Sequence, residues 1–104
     1  MKELNYAAYQ EYFLDEEQTG LILFSRQSCH VCQKVHPIIE ELQEEFKQVD
    51  FYHVDVDIEE NLMSKCKVKG VPQLLYIKDG EEVYRLAGEH PYDDYAEGIE
   101  EYLW

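Results

Sequence analysis

The sequence predicts an α/β fold: a mixed central sheet with a parallel core and an antiparallel terminal hairpin, and helices on both faces. Three observations carry it. Segments with a helical apolar period alternate with short apolar runs of the sort that strands buried on both faces show. Near the end of the chain Asp79-Gly80 separates two strand-like segments, which is tight-hairpin chemistry. The chain has 104 residues, 45% of them apolar, with no repeat or low-complexity tract, enough for one core, so residues 1–104 read as one domain.

The elements follow in order. Residues 5–18 (NYAAYQEYFLDEEQ) set Tyr6, Tyr9, Phe13 and Leu14 at helical spacing behind Asn5, a candidate N-cap, and Thr19-Gly20 ends the run. At most a short strand precedes this helix. Residues 21–25 are a buried strand, and residues 31–47 place Val35, Ile38, Ile39, Leu42 and Phe46 on one helical face, with Glu40, Glu41, Glu44, Glu45 and Lys47 on the other. Pro37 falls inside that helix, where its missing N–H predicts a bend after the first turn. Residues 49–56 (VDFYHVDV) alternate as a strand, and residues 57–64 read as a short helix with Leu62 and Met63 inward. Residues 73–78 and 82–86 are the hairpin strands, and Tyr92, Tyr95, Ala96, Ile99, Tyr102 and Leu103 stripe a final helix.

The charge narrows the classes of partner. With 23 acidic and 9 basic residues the net charge is −14, and such a surface repels nucleic-acid backbones and anionic membranes. It keeps the chain in solution, or else favours basic partner proteins. No apolar run reaches the ~18 residues of a membrane span, and Met1-Lys2-Glu3-Leu4-Asn5 lacks the pattern of an export signal, so a cytoplasmic location is expected. Three cysteines are too few, and odd in number, for a secreted disulfide framework.

The segment Ser28-Cys29-His30-Val31-Cys32 sits where the buried strand 21–25 ends and the next helix begins, a place where reactive groups collect in such sheets. A thiol at a helix N-terminus meets unsatisfied N–H groups and the positive end of the helix dipole, which favours thiolate over thiol. Cys29 is therefore the candidate nucleophile. Cys32, one turn into the helix, is the more buried thiol, suited to resolve a mixed disulfide by attacking Cys29. The redox group is then the Cys29–Cys32 disulfide itself, with no bound cofactor.

Cys29-His30-Val31-Cys32, the helix with Pro37, Gly70-Val71-Pro72 before a strand, Lys78-Asp79-Gly80 and the late Gly88 together resemble the thioredoxin family over nearly the whole chain. The resemblance implies a protein-disulfide oxidoreductase, a monomer whose electron donor is an NADPH-dependent flavin disulfide reductase. It implies that Pro72 is cis beside the cysteines and that the Val71 backbone pairs with a substrate peptide as an added strand. Ser28, Val71, Gly88 and Glu89 would line the substrate groove.

Five positions depart from the family pattern. Ser28 stands where the family usually has Trp, and His30-Val31 where it has Gly-Pro. Leu23 and His53 fall where the family has a buried Asp, which relays a proton to the second cysteine, and a Lys. His53 is a candidate substitute for that relay, beside the plainer reading of a hydrogen-bonded strand histidine. His30 next to Cys29 stabilises a thiolate when protonated, which predicts a less reducing couple; Glu89 opposes this and His90 offsets Glu89. Cys66 reads as a core residue, with regulatory oxidation or dimer formation as the alternative.

Two rival functions stay open. Cys29, Cys32 and His36 follow a C-x2-C-x3-H spacing, and Cys66 or His90 would be the fourth ligand of a zinc site. Gln33 after Cys32 removes the haem-attachment pattern. The other rival is a binding module that keeps the fold while its cysteines no longer turn over.

Overall fold

The computed structural model describes residues 1–104. Its elements are β1 (Lys2–Glu3), α1 (Tyr6–Tyr9) continued by a π-helical turn (Gln10–Asp15), β2 (Gly20–Ser25), α2 (His30–Glu45), β3 (Asp50–Asp55), α3 (Glu60–Lys65), β4 (Gln73–Lys78), β5 (Glu81–Ala87), and α4 (Tyr92–Gly98) continued by a second π-helical turn (Ile99–Leu103). No helix is long and apolar enough to cross a membrane.

The sheet order is β1-β3-β2-β4-β5. Strands β1, β3 and β2 run parallel to one another, whereas β4 is antiparallel to β2 and to β5. β2 lies at the centre because all six of its residues, Gly-Leu-Ile-Leu-Phe-Ser, are buried, and only a strand covered on both faces uses such a run. The two-residue period of the strands then divides the core. Ile22, Phe24, Tyr52, Leu75 and Ile77 pack on one face with Tyr9, Phe13 and Leu62 from α1, its π-helical turn and α3. Leu21, Leu23, Phe51, Leu74 and Tyr76 pack on the other with Val35, Ile39, Leu42, Tyr95 and Ile99 from α2, α4 and the second π-helical turn.

Local chemistry sets the ends. Asn5 caps α1 by accepting the Ala8 N–H at 2.8 Å. Asp79 and Gly80 both have positive φ, 52° and 83°, the conformation of a two-residue type I′ hairpin turn. A Cβ on Gly80 would stand 2.4 Å from the Phe13 carbonyl, so close approach as well as φ requires glycine there.

Three expectations shift. The first helix stops at Asp15, not at residue 18: Glu16 N–H bonds the Glu11 carbonyl at 2.9 Å and Glu17 turns to a φ of 52°. Leu14, expected inward, is 43% exposed, because Tyr9 and Phe13 already fill that face of the sheet. α3 begins at Glu60 rather than 57 because Asp55 folds the chain first. Its carboxylate accepts the Asp57 N–H at 2.9 Å, and its carbonyl accepts from Ile58 and Glu59, an Asx turn that occupies residues a helix would need. Pro37 lies within α2, which spans His30–Glu45.

Candidate active site at the start of α2

The turn after β2 delivers Cys29. Its N–H bonds the Arg26 carbonyl at 3.1 Å, and its extended backbone (φ −89°, ψ 112°) makes it the N-cap of α2. Cys29 Sγ takes the place that a Ser or Asp oxygen fills at other helix starts: it accepts the Cys32 N–H at 3.1 Å. The same sulfur lies 3.9 Å from the Val71 carbonyl, to which its S–H donates. All three cysteines are free thiols.

Cys29 and Cys32 share one helical turn but not one environment. Cys29 is partly exposed, whereas Cys32 is 4% exposed. Burial, then the hydrogen bond with Cys29, pushes the Cys32 thiol up to about 11, against an opposing backbone hydrogen bond at Arg26.

The loop before β4 forms the other wall. The Val71-Pro72 peptide is cis and Pro72 is buried. The Pro72 carbonyl accepts the Gly88 N–H at 2.9 Å, and Gly88 has a φ of 84°. Tyr95 fastens this corner, since its hydroxyl donates to the Gly88 carbonyl at 3.1 Å and accepts the His90 N–H at 3.2 Å. Val71, Pro72 and Gly88 are thus assembled beside Cys29 from both ends of the hairpin. Ser28, His30, Val31 and Glu89 are exposed on the loops and first turn around them.

Beside Cys32 lies a polar group that sequence reasoning found only in part. Leu23 is buried in the α2 face of the core and pairs in register with His53. The His53 ring does not enter that core. Its Nδ1 lies 2.6 Å from a Glu3 carboxylate oxygen, and its Nε2 bonds the Ser25 hydroxyl. Ser25 is 7% exposed. Ser25 and Glu3 were not among the candidate residues, because Glu3 reaches His53 only through the parallel register of β1 on β3, which no local pattern reveals.

The alternative metal set does not assemble. Nowhere do three or more His, Cys, Asp or Glu side chains converge with the geometry of a metal site. Cys66 packs with the cluster on the α1 and α3 face of the sheet, across β2 from α2. His90 donates its Nε2–H to the Ala87 carbonyl at 2.9 Å, and His36 bonds Glu40 at 3.2 Å.

Known proteins match this arrangement. The family model for thioredoxin matches residues 1–101. Thioredoxin of Staphylococcus saprophyticus is 33% identical over 94 residues, covering 88% of this chain and 90% of the relative. Thioredoxin-1 of Saccharomyces cerevisiae is 38% identical over 63 residues, and the match spans only 61% of each protein. Among solved structures, Fasciola hepatica thioredoxin superposes with a TM-score of 0.85 at 33% identity, covering 96% of this chain and 97% of the other. A thioredoxin variant from Halobacterium salinarum gives 0.87 at 27% identity, covering 99% and 90%. With its sheet order, its cysteine pair at the start of α2 and a family match over residues 1–101, the chain belongs to the thioredoxin family.

Proposed function

We propose that this chain is a thiol-disulfide oxidoreductase that acts on protein disulfides through the Cys29–Cys32 couple. Members of its family are protein-disulfide oxidoreductases. The observation that carries the reading is the asymmetry of the pair: a partly exposed Cys29 sulfur at the amino end of α2 and a buried Cys32 one turn behind it. Cys29 attacks the substrate disulfide, and Cys32 attacks Cys29 to release the second substrate thiol. His30 and Val31 tune the pair, and Pro72 shapes the wall beside it. An extended substrate segment adds to the Val71 backbone as a short strand, over a groove of Ser28, Val71, Gly88 and Glu89.

The finer points belong to the same proposal. The chain works as a single domain and a monomer, with no bound cofactor, in the reducing setting of the cytoplasm. Its electrons come from an NADPH-dependent flavin disulfide reductase. The exposed His30 beside Cys29 makes the couple less reducing than that of a thioredoxin with the usual Gly-Pro between its cysteines.

The test is equilibration against dithiol and glutathione buffers, with alkylation and intact-mass readout. One reversible two-electron transition is expected, lost in Cys29→Ser and in Cys32→Ser, and Cys32→Ser accumulates a mixed disulfide on Cys29. Every ~30 mV by which the midpoint exceeds that of a thioredoxin control is a tenfold difference in equilibrium. Both thiols unchanged across the whole range would overturn the proposal and leave the binding-module reading.

A further inference from the structure

In the oxidoreductase reading, on which this inference rests, Cys32 must lose its proton before it can attack the mixed disulfide. Its setting opposes that loss. The thiol is 4% exposed, and burial and the Cys29 bond raise its proton affinity far above neutrality. A thiol in that position turns over at neutral pH only if a base is placed to take the proton.

One cavity, about 200 Å3, touches Cys32, and its walls hold Glu3, Ser25, His36, His53 and Asp55. The polar groups that face His53 are Glu3 from β1, Ser25 from β2, Cys32 and His36 from α2, and Asp55 from β3, with Glu59 before α3 lining a neighbouring cavity and accepting the Tyr6 N–H at 3.1 Å. Arg26, also on the wall, is held by Asp57 at 2.8 Å. Asp55 is occupied in its own turn, accepting the Asp57 N–H. His36 stands edge-on to His53 with ring centroids 5.5 Å apart, and bonds Glu40. The Glu3, His53 and Ser25 side chains, by contrast, are bonded to one another in a row.

The direction of that row follows from what each group can donate. A carboxylate only accepts, so the Nδ1 that lies 2.6 Å from Glu3 carries the proton. When the second ring nitrogen carries no hydrogen, its lone pair accepts from the Ser25 hydroxyl. Ser25 and Cys32 line the same cavity, and a space of this size admits water.

We infer that Glu3, His53 and Ser25 form a proton relay that serves Cys32. Ser25 Oγ takes the Cys32 proton through water in the shared cavity, as its own hydrogen passes to His53 Nε2. Glu3 steadies the imidazolium that results. The Cys32 thiolate attacks Cys29 Sγ, the Cys29–Cys32 bond forms, and the bond from Cys29 to the substrate sulfur breaks. The electron pair leaves on that sulfur, which is protonated from solvent, and His53 returns its proton to solvent through the open cavity. The pair is oxidised to a disulfide and the substrate disulfide is reduced to two thiols.

The relay is tested in a single turnover of the reduced chain with one equivalent of 5,5′-dithiobis(2-nitrobenzoate), by absorbance of the released thionitrobenzoate. The first release reports attack by Cys29, and the second reports resolution by Cys32. His53→Asn is expected to slow the second release about a hundredfold at neutral pH, at the low end of what a placed base contributes, and to leave the first within about twofold. Its second phase then climbs with pH throughout the alkaline range, where the parent protein has levelled off. Glu3→Gln, on an exposed side chain of the edge strand, keeps the fold and slows the second phase about tenfold.

An unchanged second phase in His53→Asn and Glu3→Gln, equal slowing of both phases, or the same loss from Asp55→Asn alone would overturn the relay and leave the oxidoreductase reading standing. A parent protein that never releases the second thionitrobenzoate overturns both.

Discussion

Cys29 and Cys32 are three residues apart in sequence and differ because a helix terminus treats its first turn unevenly. Cys29 caps α2 with its sulfur and keeps a solvent-facing side, whereas Cys32 turns inward and is 4% exposed. Iodoacetamide at neutral pH is therefore expected to label Cys29 first. Cys32 follows at least about tenfold more slowly, with a rate that keeps rising as pH approaches the value of about 11 to which burial and the Cys29 bond push its thiol. Peptide mapping of timed samples measures this directly, and equal labelling of the two would contradict the asymmetry. The spacing made the pair legible in the sequence. The polar group beside it was not: His53 stood out as a strand histidine, but its partners Glu3 and Ser25 lie 50 and 28 residues away.

At the scale of elements, the contact between α4 and β4 is closer than the helical stripe suggests. Gly98 lies against the fully buried Tyr76 ring, and a Cβ there would come within 2.7 Å of it. Tyr76 cannot swing aside, because its hydroxyl donates to the Tyr95 carbonyl at 2.8 Å within the core. In an open helix Gly to Ala gains roughly 0.5–1 kcal/mol. Here Gly98→Ala is expected to cost about 1–3 kcal/mol through overpacking, read from the shift of a urea midpoint, and a gain would show that the helix moves freely on the sheet. The stripe of Tyr95, Ile99 and Leu103 was visible in the sequence. The glycine was silent, since a residue without a side chain carries no pattern.

Across the whole molecule, burial holds several weak acids in their neutral form. Burial is the first cause for each of Tyr9, Cys32, Tyr52, Cys66, Tyr76 and Tyr95, and all are raised above their ordinary values. The sign follows from proton counting. For Cys32 the unfolded chain loses its proton near the ordinary 9.0, while the folded chain keeps it to about 11. Between those values the unfolded state binds fewer protons, so stability falls as pH rises. The full contribution is present below pH 9. Thermal melts are expected to stay level through neutral pH and fall steeply from about pH 9 upward, by a few kcal/mol across the set, at about 1.4 kcal/mol for each tenfold change in proton affinity. A flat profile to pH 11 would mean that these groups titrate in place. The net charge of −14 acts in the same direction, because each further ionisation adds to a surface that already repels itself.

The sequence by itself determined the order of the elements, the strand buried on both faces, the Asp79-Gly80 turn and the reactive pair at the start of α2. Each depends on neighbours a few residues apart: an apolar period, a turn's φ, a cap. The family resemblance set Val71, Pro72 and Gly88 beside that pair, and tertiary structure decided how they are held and which polar groups join them. The Val71 carbonyl 3.9 Å from Cys29, the Gly88 amide on Pro72 and the row of Glu3, His53 and Ser25 all depend on strand register and on the packing of α2 over the sheet. Sheet register is fixed by the sum of many side-chain contacts across distant segments, and that sum leaves no mark on any one stretch of the chain.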